Sequence, residues 1–277
     1  MHYRYAEGQR NLLTEAQIEQ LQDVSTAPLS ERERLAVQFC ELLVSRPWSM
    51  TDAFCAELKG HFSDGEIAEL AFHTMYMNVY HCFRAAIDLE PAKGDDENVI
   101  DQIPKALADP RLAGPQALAQ IPTFTLERVA GVPAHMAQAY RDALSAVWKE
   151  PSLPLHLKEM LRLKTAELAQ DAQASSLRFR EAPLTPEQLA AIADPGRSKL
   201  AEREILALQF AELLVTQPVG ITKAFFDEML LHYTDTQLVA LCFFTLAHNS
   251  GYRFESAMNA PPREGGVVYE SLSVYGV

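Results

Sequence analysis

LSERERLAVQFCELLVSRPWSMTDAFCAELKGHFSDGEIAELAFHTMYMN, residues 29–78, returns as LAEREILALQFAELLVTQPVGITKAFFDEMLLHYTDTQLVALCFFTLAHN, residues 200–249. The offset is 171 residues without a gap, and 23 of the 50 aligned positions are identical. Identity at that level over an ungapped run makes the two stretches copies of one structural unit. Two copies in 277 residues form a tandem pair or pseudo-dimer rather than a solenoid, whose repeats are much shorter.

Within each copy the punctuation is helical. A hydroxyl residue followed three positions later by Glu or Gln satisfies the orphan amides of a helix start reciprocally. The device occurs at Thr14/Gln17, Ser30/Glu33, Ser63/Glu66, Thr185/Gln188 and Thr234/Gln237. Ser30 opens a helix through Arg46 that carries Leu35, Phe39, Leu42 and Leu43 on one stripe, and Pro47 stops it. A helix near Thr51–His61 follows, then a long one from Ser63 to about Leu89 with Ile67, Leu70, Met75 and Val79 apolar. No run of alternating β-branched residues stands out, so the fold class is all-α.

Copy two has more in front of it than copy one. Helical patterns run over Val132–Lys149 and from Leu153 to about Arg180, the latter amphipathic through Leu157, Met160, Leu161, Lys164, Leu168 and Ala172. Copy one has no counterpart. The expected division is a shortened repeat at 1–89, a linker at 90–121, a complete repeat at 122–260 and a tail at 261–277. The linker is rich in proline, alanine and acid, and its Asp95-Asp96-Glu97 run reads as a solvated face. No function is read from the tail.

Hydrophobic residues make up 48% of the chain, enough for a real core, and the formal charge is 24 − 37 = −13. No basic run or aromatic-interleaved basic patch offsets that charge, which argues against nucleic acid and anionic membrane as partners. The first ten residues lack the apolar stretch of a secretory signal, and the longest apolar-rich run, Leu238–Ala247, is too short to span a bilayer. A cytoplasmic location is the expectation. The four cysteines, Cys40, Cys55, Cys82 and Cys242, are scattered without C-x-x-C spacing and read as free thiols rather than disulfides or zinc ligands.

The order K-E-x-L-x-L-x-x-A-E-L (158–168), L-T-x-x-Q (184–188), E-R-E (202–204), A-L-x-F-A-E-L-L (207–214), H-Y-T-D (232–235) and H-N-x-x-x-R (248–253) resembles the carboxymuconolactone decarboxylase family, which includes the alkylhydroperoxidase D-like proteins. Each motif is weak alone. Their succession, much of it given twice, is specific. The resemblance spans Pro122–Pro261 as a whole unit and Met1–Leu89 as a unit without its front. It implies two tandem helical domains, a homo-oligomer, and active sites at subunit contacts that take a small-molecule substrate without a cofactor or metal.

Peroxidases of that family use a C-x-x-C pair at the start of a helix, where the macrodipole favours thiolate, with a glutamate and a histidine relaying the proton. The resemblance places the glutamate on Glu159, the two cysteines on Asp171 and Ala174, and the histidine on Arg178. Copy two therefore keeps the acid and has no redox pair, since neither aspartate nor alanine forms a disulfide. In copy one the family spacing puts the second cysteine just before Met1, whereas the offset from copy two puts it on Tyr3 (174 − 171). The first register implies a thiol pair encoded upstream and a peroxidase-related function; the second implies a lost catalytic helix.

What remains is the chemistry of the decarboxylase branch, acid–base work on a small organic acid, or a non-catalytic oligomeric scaffold. Glu159, His248 and Asp171 are the candidate catalytic groups. Arg253, Asn249 and Arg178 are the candidates for holding a substrate carboxylate. Each has a plainer reading: Glu159 as a helix-face partner of Arg162, His248 as a hydrogen-bonded core histidine, Asp171 as solvent-exposed or at a helix break, Arg253 paired with Glu255 or a helix end. In copy one Glu69, His73, Tyr76, Asn78, Tyr80 and His81 line the corresponding helix, as pocket or contact residues rather than as a metal site.

Overall fold

The computed structural model describes residue 27 and residues 29–86, 132–257 and 266–277. The Thr14/Gln17 start and the linker at 90–121 lie outside them. Copy one supplies α1 (Glu31–Ser45), a 3-10 turn at Pro47–Ser49, α2 (Asp52–His61) and α3 (Asp64–Ala86). Then come α4 (Ala134–Lys149), α5 (Leu155–Leu168), α6 (Ala172–Ser176), the short strand β1 (Leu177–Phe179) and α7 (Pro186–Ala191). Copy two continues with α8 (Glu202–Thr216), a 3-10 turn at Pro218–Gly220, α9 (Lys223–His232) and α10 (Asp235–Ala257). Strand β2 (Val268–Glu270) and a 3-10 turn at Leu272–Tyr275 close the order. The chain is mostly helical.

The offset read in the sequence recurs in every boundary: adding 171 to the bounds of α1, its following 3-10 turn, α2 and α3 gives those of α8, its turn, α9 and α10. Local chemistry explains the agreement. Ser30 with Glu33 forms a complete capping box at α1, and at the equivalent start of α8 the Ala201 amide still donates to the Glu204 carboxylate. Ser63 with Glu66 and Thr234 with Gln237 exchange the same pair of bonds. Each such cap contributes about 1 kcal/mol to its helix.

Helices α3 and α10 cross where the copies meet, and two aromatic contacts seal the crossing: Phe72 with Phe254 at 5.6 Å between ring centroids and Phe83 with Phe243 at 5.0 Å. Exchanging the copies turns one contact into the other, because 72 + 171 = 243 and 83 + 171 = 254. The 3-10 turn of copy one packs on α10 as that of copy two packs on α3. The two halves therefore meet about a local two-fold relation, as the subunits of an isologous dimer do.

Two differences from the sequence reading concern the front of copy two. The helix expected from Leu153 to about Arg180 breaks after Leu168, with Gln170 in the left-handed region at φ 53°, and restarts at Ala172 with Asp171 as its cap. Leu177–Phe179 then runs extended and pairs in parallel with Val268–Glu270, so the tail is part of the fold. Nor is α5 amphipathic: every residue from Leu157 to Ala166 is buried. Its polar side chains are satisfied internally instead. Lys158 donates to the carbonyls of Trp148 and Glu150 at 2.7 and 2.5 Å, closing the end of α4. Lys164 pairs with Glu212 at 3.0 Å, and the Thr165 hydroxyl donates to the Leu161 carbonyl at 2.6 Å.

One close approach fixes α4 on α10. The Tyr140 hydroxyl donates to the Ala247 carbonyl at 2.8 Å, across the place where a side chain on Gly251 would begin. A Cβ there would lie 2.0 Å from that oxygen and 2.7 Å from the ring carbon bearing it. Alanine is the better helix former by about 1 kcal/mol, but this clash decides the sign. Gly251→Ala is expected to destabilise by about 2 kcal/mol in urea denaturation, and an equal or raised midpoint would overturn that packing.

Candidate functional site

Glu159 lies in the middle of α5 with no solvent exposure. Its carboxylate accepts both faces of the Arg162 fork, from Nε at 2.7 Å and from Nη2 at 2.8 Å. The guanidinium spends its other donors on the carbonyls of Ala174 at 2.9 Å and Leu177 at 2.6 Å, and on the Tyr252 hydroxyl at 3.5 Å. Burial alone would depress the Arg162 pKa, but the Glu159 charge, the Tyr252 hydroxyl and the hydrogen bonds to both together outweigh it, and the group is held above its ordinary value. The carbonyls it binds belong to the segment after the break at Gln170. The pair therefore also fixes α6 and β1 against α5.

His248 reaches the same region from α10. Its Nε2 accepts the indole N–H of Trp148 at 3.2 Å, which leaves Nδ1 as the donor to the Phe244 carbonyl at 2.9 Å. Trp148 in turn contacts Phe244 at 4.9 Å, Phe179 at 5.2 Å and Tyr275 at 6.1 Å between centroids. Burial pushes the imidazole down to about 3, with the nearby Arg162 and Lys158 charges adding to the effect. At neutral pH this histidine is uncharged, with both ring nitrogens engaged.

A pH dependence follows from that shift. The unfolded chain takes up a proton on this side chain near pH 6.5, whereas the folded chain resists until about 3, so in between the unfolded state binds more protons. The contribution is fully present above pH 6.5 and is lost as pH falls. Stability is expected to drop by about 1 kcal/mol per unit between roughly pH 6 and 4 from this group alone. In His248→Gln that part of the slope should vanish in urea titrations at successive pH values; an unchanged slope would acquit the histidine.

Asp171 caps α6, its Oδ1 accepting from the Ala174 amide at 2.9 Å. The two positions that the family resemblance gives to a thiol pair are thus joined by a capping hydrogen bond. Arg178, on β1, donates from Nη1 to the carbonyls of Ser175 at 2.6 Å and Leu177 at 2.7 Å. Its partial burial and the Arg162 charge lower its pKa.

Arg253 and Asn249 point elsewhere. Arg253 is buried, donates from Nε to the Asn249 amide oxygen at 2.9 Å, and from Nη1 to the Val44 carbonyl in the last turn of α1. It does not pair with Glu255; a cation at the carbonyl end of a helix is favourable in itself. Burial lowers its pKa, and the Cys82 thiol, at the position equivalent to Arg253 in copy one, lies near enough to feel its charge. The Asn249 amide nitrogen is buried and has no acceptor among the described residues. The six candidates therefore fall into two groups: Glu159, His248, Asp171 and Arg178 around Arg162, and Asn249 with Arg253 at the contact with copy one.

Sequence reasoning missed Arg162 as the centre of the first group, and with it Trp148, Tyr252 and Tyr275. The Glu159/Arg162 spacing was the available signal. The four cysteines are free, and burial raises the thiol pKa of each, Cys242 up to about 12. Among the described residues no group of three His, Cys, Asp or Glu side chains is placed to hold a metal ion, and no helix is long and apolar enough to cross a membrane. No protein-family model, no curated protein and no solved structure matches the chain.

Proposed function

We propose that this chain is a tandem relative of the carboxymuconolactone decarboxylase and alkylhydroperoxidase D-like proteins in which the region of the thiol site has become structural core, leaving a non-catalytic, oligomeric helical scaffold. One observation carries the reading: Glu159, the acid that the resemblance retains, is wholly engaged by Arg162 in a buried bidentate pair. Asp171 and His248 beside it are likewise committed, to a helix cap and to Trp148 with Phe244. A proton relay needs a group that exchanges protons near working pH and reaches substrate. Large apolar side chains exposed at Val219 and Leu231 supply surface for assembly.

The test is an assay of the purified chain for thiol-dependent peroxide reduction and for carbon dioxide release from small lactone acids. Neither is expected above the uncatalysed rate. Robust peroxide turnover by this chain would overturn the reading.

A second reading, acid–base chemistry on a small organic acid, is favoured by Arg253 and Asn249. A buried guanidinium that has no carboxylate partner among the described residues, next to an amide nitrogen that has no acceptor among them, is chemistry suited to a ligand carboxylate. Lactone-acid turnover that disappears in Arg253→Gln, with the unfolding midpoint unchanged, would install this reading in place of the first.

A further inference from the structure

Thr245, Asn249 and Arg253 follow one another at four-residue intervals on α10 and share one face of it. All three are buried, the first two completely. Thr245 departs from a pattern seen elsewhere in these helices: Ser45, Thr74, Thr165, Thr216 and Ser250 each donate to the carbonyl four residues earlier at 2.6–2.8 Å, whereas Thr245 Oγ1 has no partner among the described residues. Asn249 Nδ2 has none among them either. A guanidinium cannot accept, so the bond from Arg253 Nε sets the Asn249 oxygen toward it and leaves both amide hydrogens for something else. One buried face thus carries a hydroxyl and an amide nitrogen without an acceptor, beside a cation.

Copy one has the same positions without the same demand. Thr74, Asn78 and Cys82 stand at the equivalent places of α3. The Thr74 hydroxyl donates to the Leu70 carbonyl and lies 3.0 Å from Cys40 Sγ, and the Asn78 oxygen accepts from the Cys82 thiol at 3.7 Å. In copy two Ala211 stands in place of Cys40 and brings no sulfur, while Arg253 stands in place of Cys82 and brings a charge. Water can take up loose hydrogens in a core, but it does not balance a guanidinium. Arg253 donates to the Val44 carbonyl, and that end of α1 offsets about half a charge. No carboxylate pairs with it among the described residues. The remaining charge calls for an anion, and donors so enclosed admit only a compact one.

We propose that Thr245, Asn249 and Arg253 bind a compact monovalent anion, of the size of chloride or formate, at the seam where α10 meets copy one. Asn249 and Arg253 are the side chains that favour acid–base chemistry on a small organic acid, and the anion site rests on that reading for its place though not for any turnover. Bound there, the anion ties this face of α10 to the end of α1 and so holds the two copies together.

Urea denaturation of the full chain tests it, at constant ionic strength, as chloride or formate replaces methanesulfonate, a monoanion too bulky for the site. For a dissociation constant of about 10 mM, the folding equilibrium constant is expected to rise about tenfold between about 1 and about 100 mM of either anion, and to stay unchanged in Thr245→Val and Arg253→Gln. Thr245→Val keeps the shape of the side chain, so it decides should circular dichroism show Arg253→Gln unfolded. A response to chloride alone or to formate alone upholds the site and names its anion as a halide or a carboxylate. No response overturns it, because water then suffices, and an equal response in the variants overturns it as an effect of bulk salt. Lactone-acid turnover without an anion response sustains the acid–base reading and overturns the anion site; an anion response without turnover upholds the site and tells against that chemistry.

Discussion

Glu159→Gln is expected to lower the stability of the chain by about 3 kcal/mol or more, read as a shift of the urea midpoint at neutral pH with an unchanged slope. The size follows from what is left behind. Arg162 would remain buried among Ala174, Leu177 and Tyr252, with its charge no longer balanced, and an uncompensated buried charge costs far more than the net value of an intact pair. The matching expectation concerns the double variant Glu159→Leu with Arg162→Met, which removes both charges and should recover much of the loss. A single variant that costs less than about 1 kcal/mol would show that solvent reaches the pair, and the scaffold reading would lose its main support.

Trp148→Ala should cost about 4 kcal/mol, near the top of the range for a buried aromatic. Its side chain is 1% exposed, and it holds Phe179, Phe244 and Tyr275 together, so truncation opens a cavity at the junction of α4, β1, α10 and the last 3-10 turn. The same truncation leaves His248 Nε2 buried without its donor. Trp148→Phe separates the two losses: it keeps most of the volume and should cost about 1–2 kcal/mol, the price of the missing hydrogen bond. The chain has only one other tryptophan, Trp48, which is exposed, so blue-shifted intrinsic fluorescence should vanish in either variant. Its persistence would place Trp148 outside the core.

The parts of the fold that were legible in the sequence are those decided within one turn of helix. Ser30, Ser63, Thr185 and Thr234 announce helix starts because their partners stand three residues away, and Pro47 and Pro218 end helices by their own covalent geometry. The break at Gln170 was legible only as one plain reading of Asp171, a poor helix former, since no glycine or proline marks it and the left-handed residue is a glutamine. The β1/β2 pairing was equally hidden: it joins residues about ninety positions apart through three residues each, too few to show an alternating pattern.

For the candidate site, residue type was visible and environment was not. His248 looks the same in the sequence whether it faces water or an indole, and the indole that engages it comes from 100 residues earlier. Glu159 and Arg162 were recognisable as neighbours on a helix. That its middle, Leu157 to Ala166, is wholly buried depends on α6, α8 and α10 together, and no spacing within α5 reveals it.

The parallel strand pairing near residue 270 also bears on the order in which these elements fold. Copy one and the α5–α8–α10 packing can form as synthesis proceeds, but the Trp148 cluster lacks Tyr275 and its covering strand until the ribosome has delivered them. The Trp148 cluster thus closes only across a separation of 127 residues (275 − 148), which makes its completion a long-range step, slower than the helix-local ones.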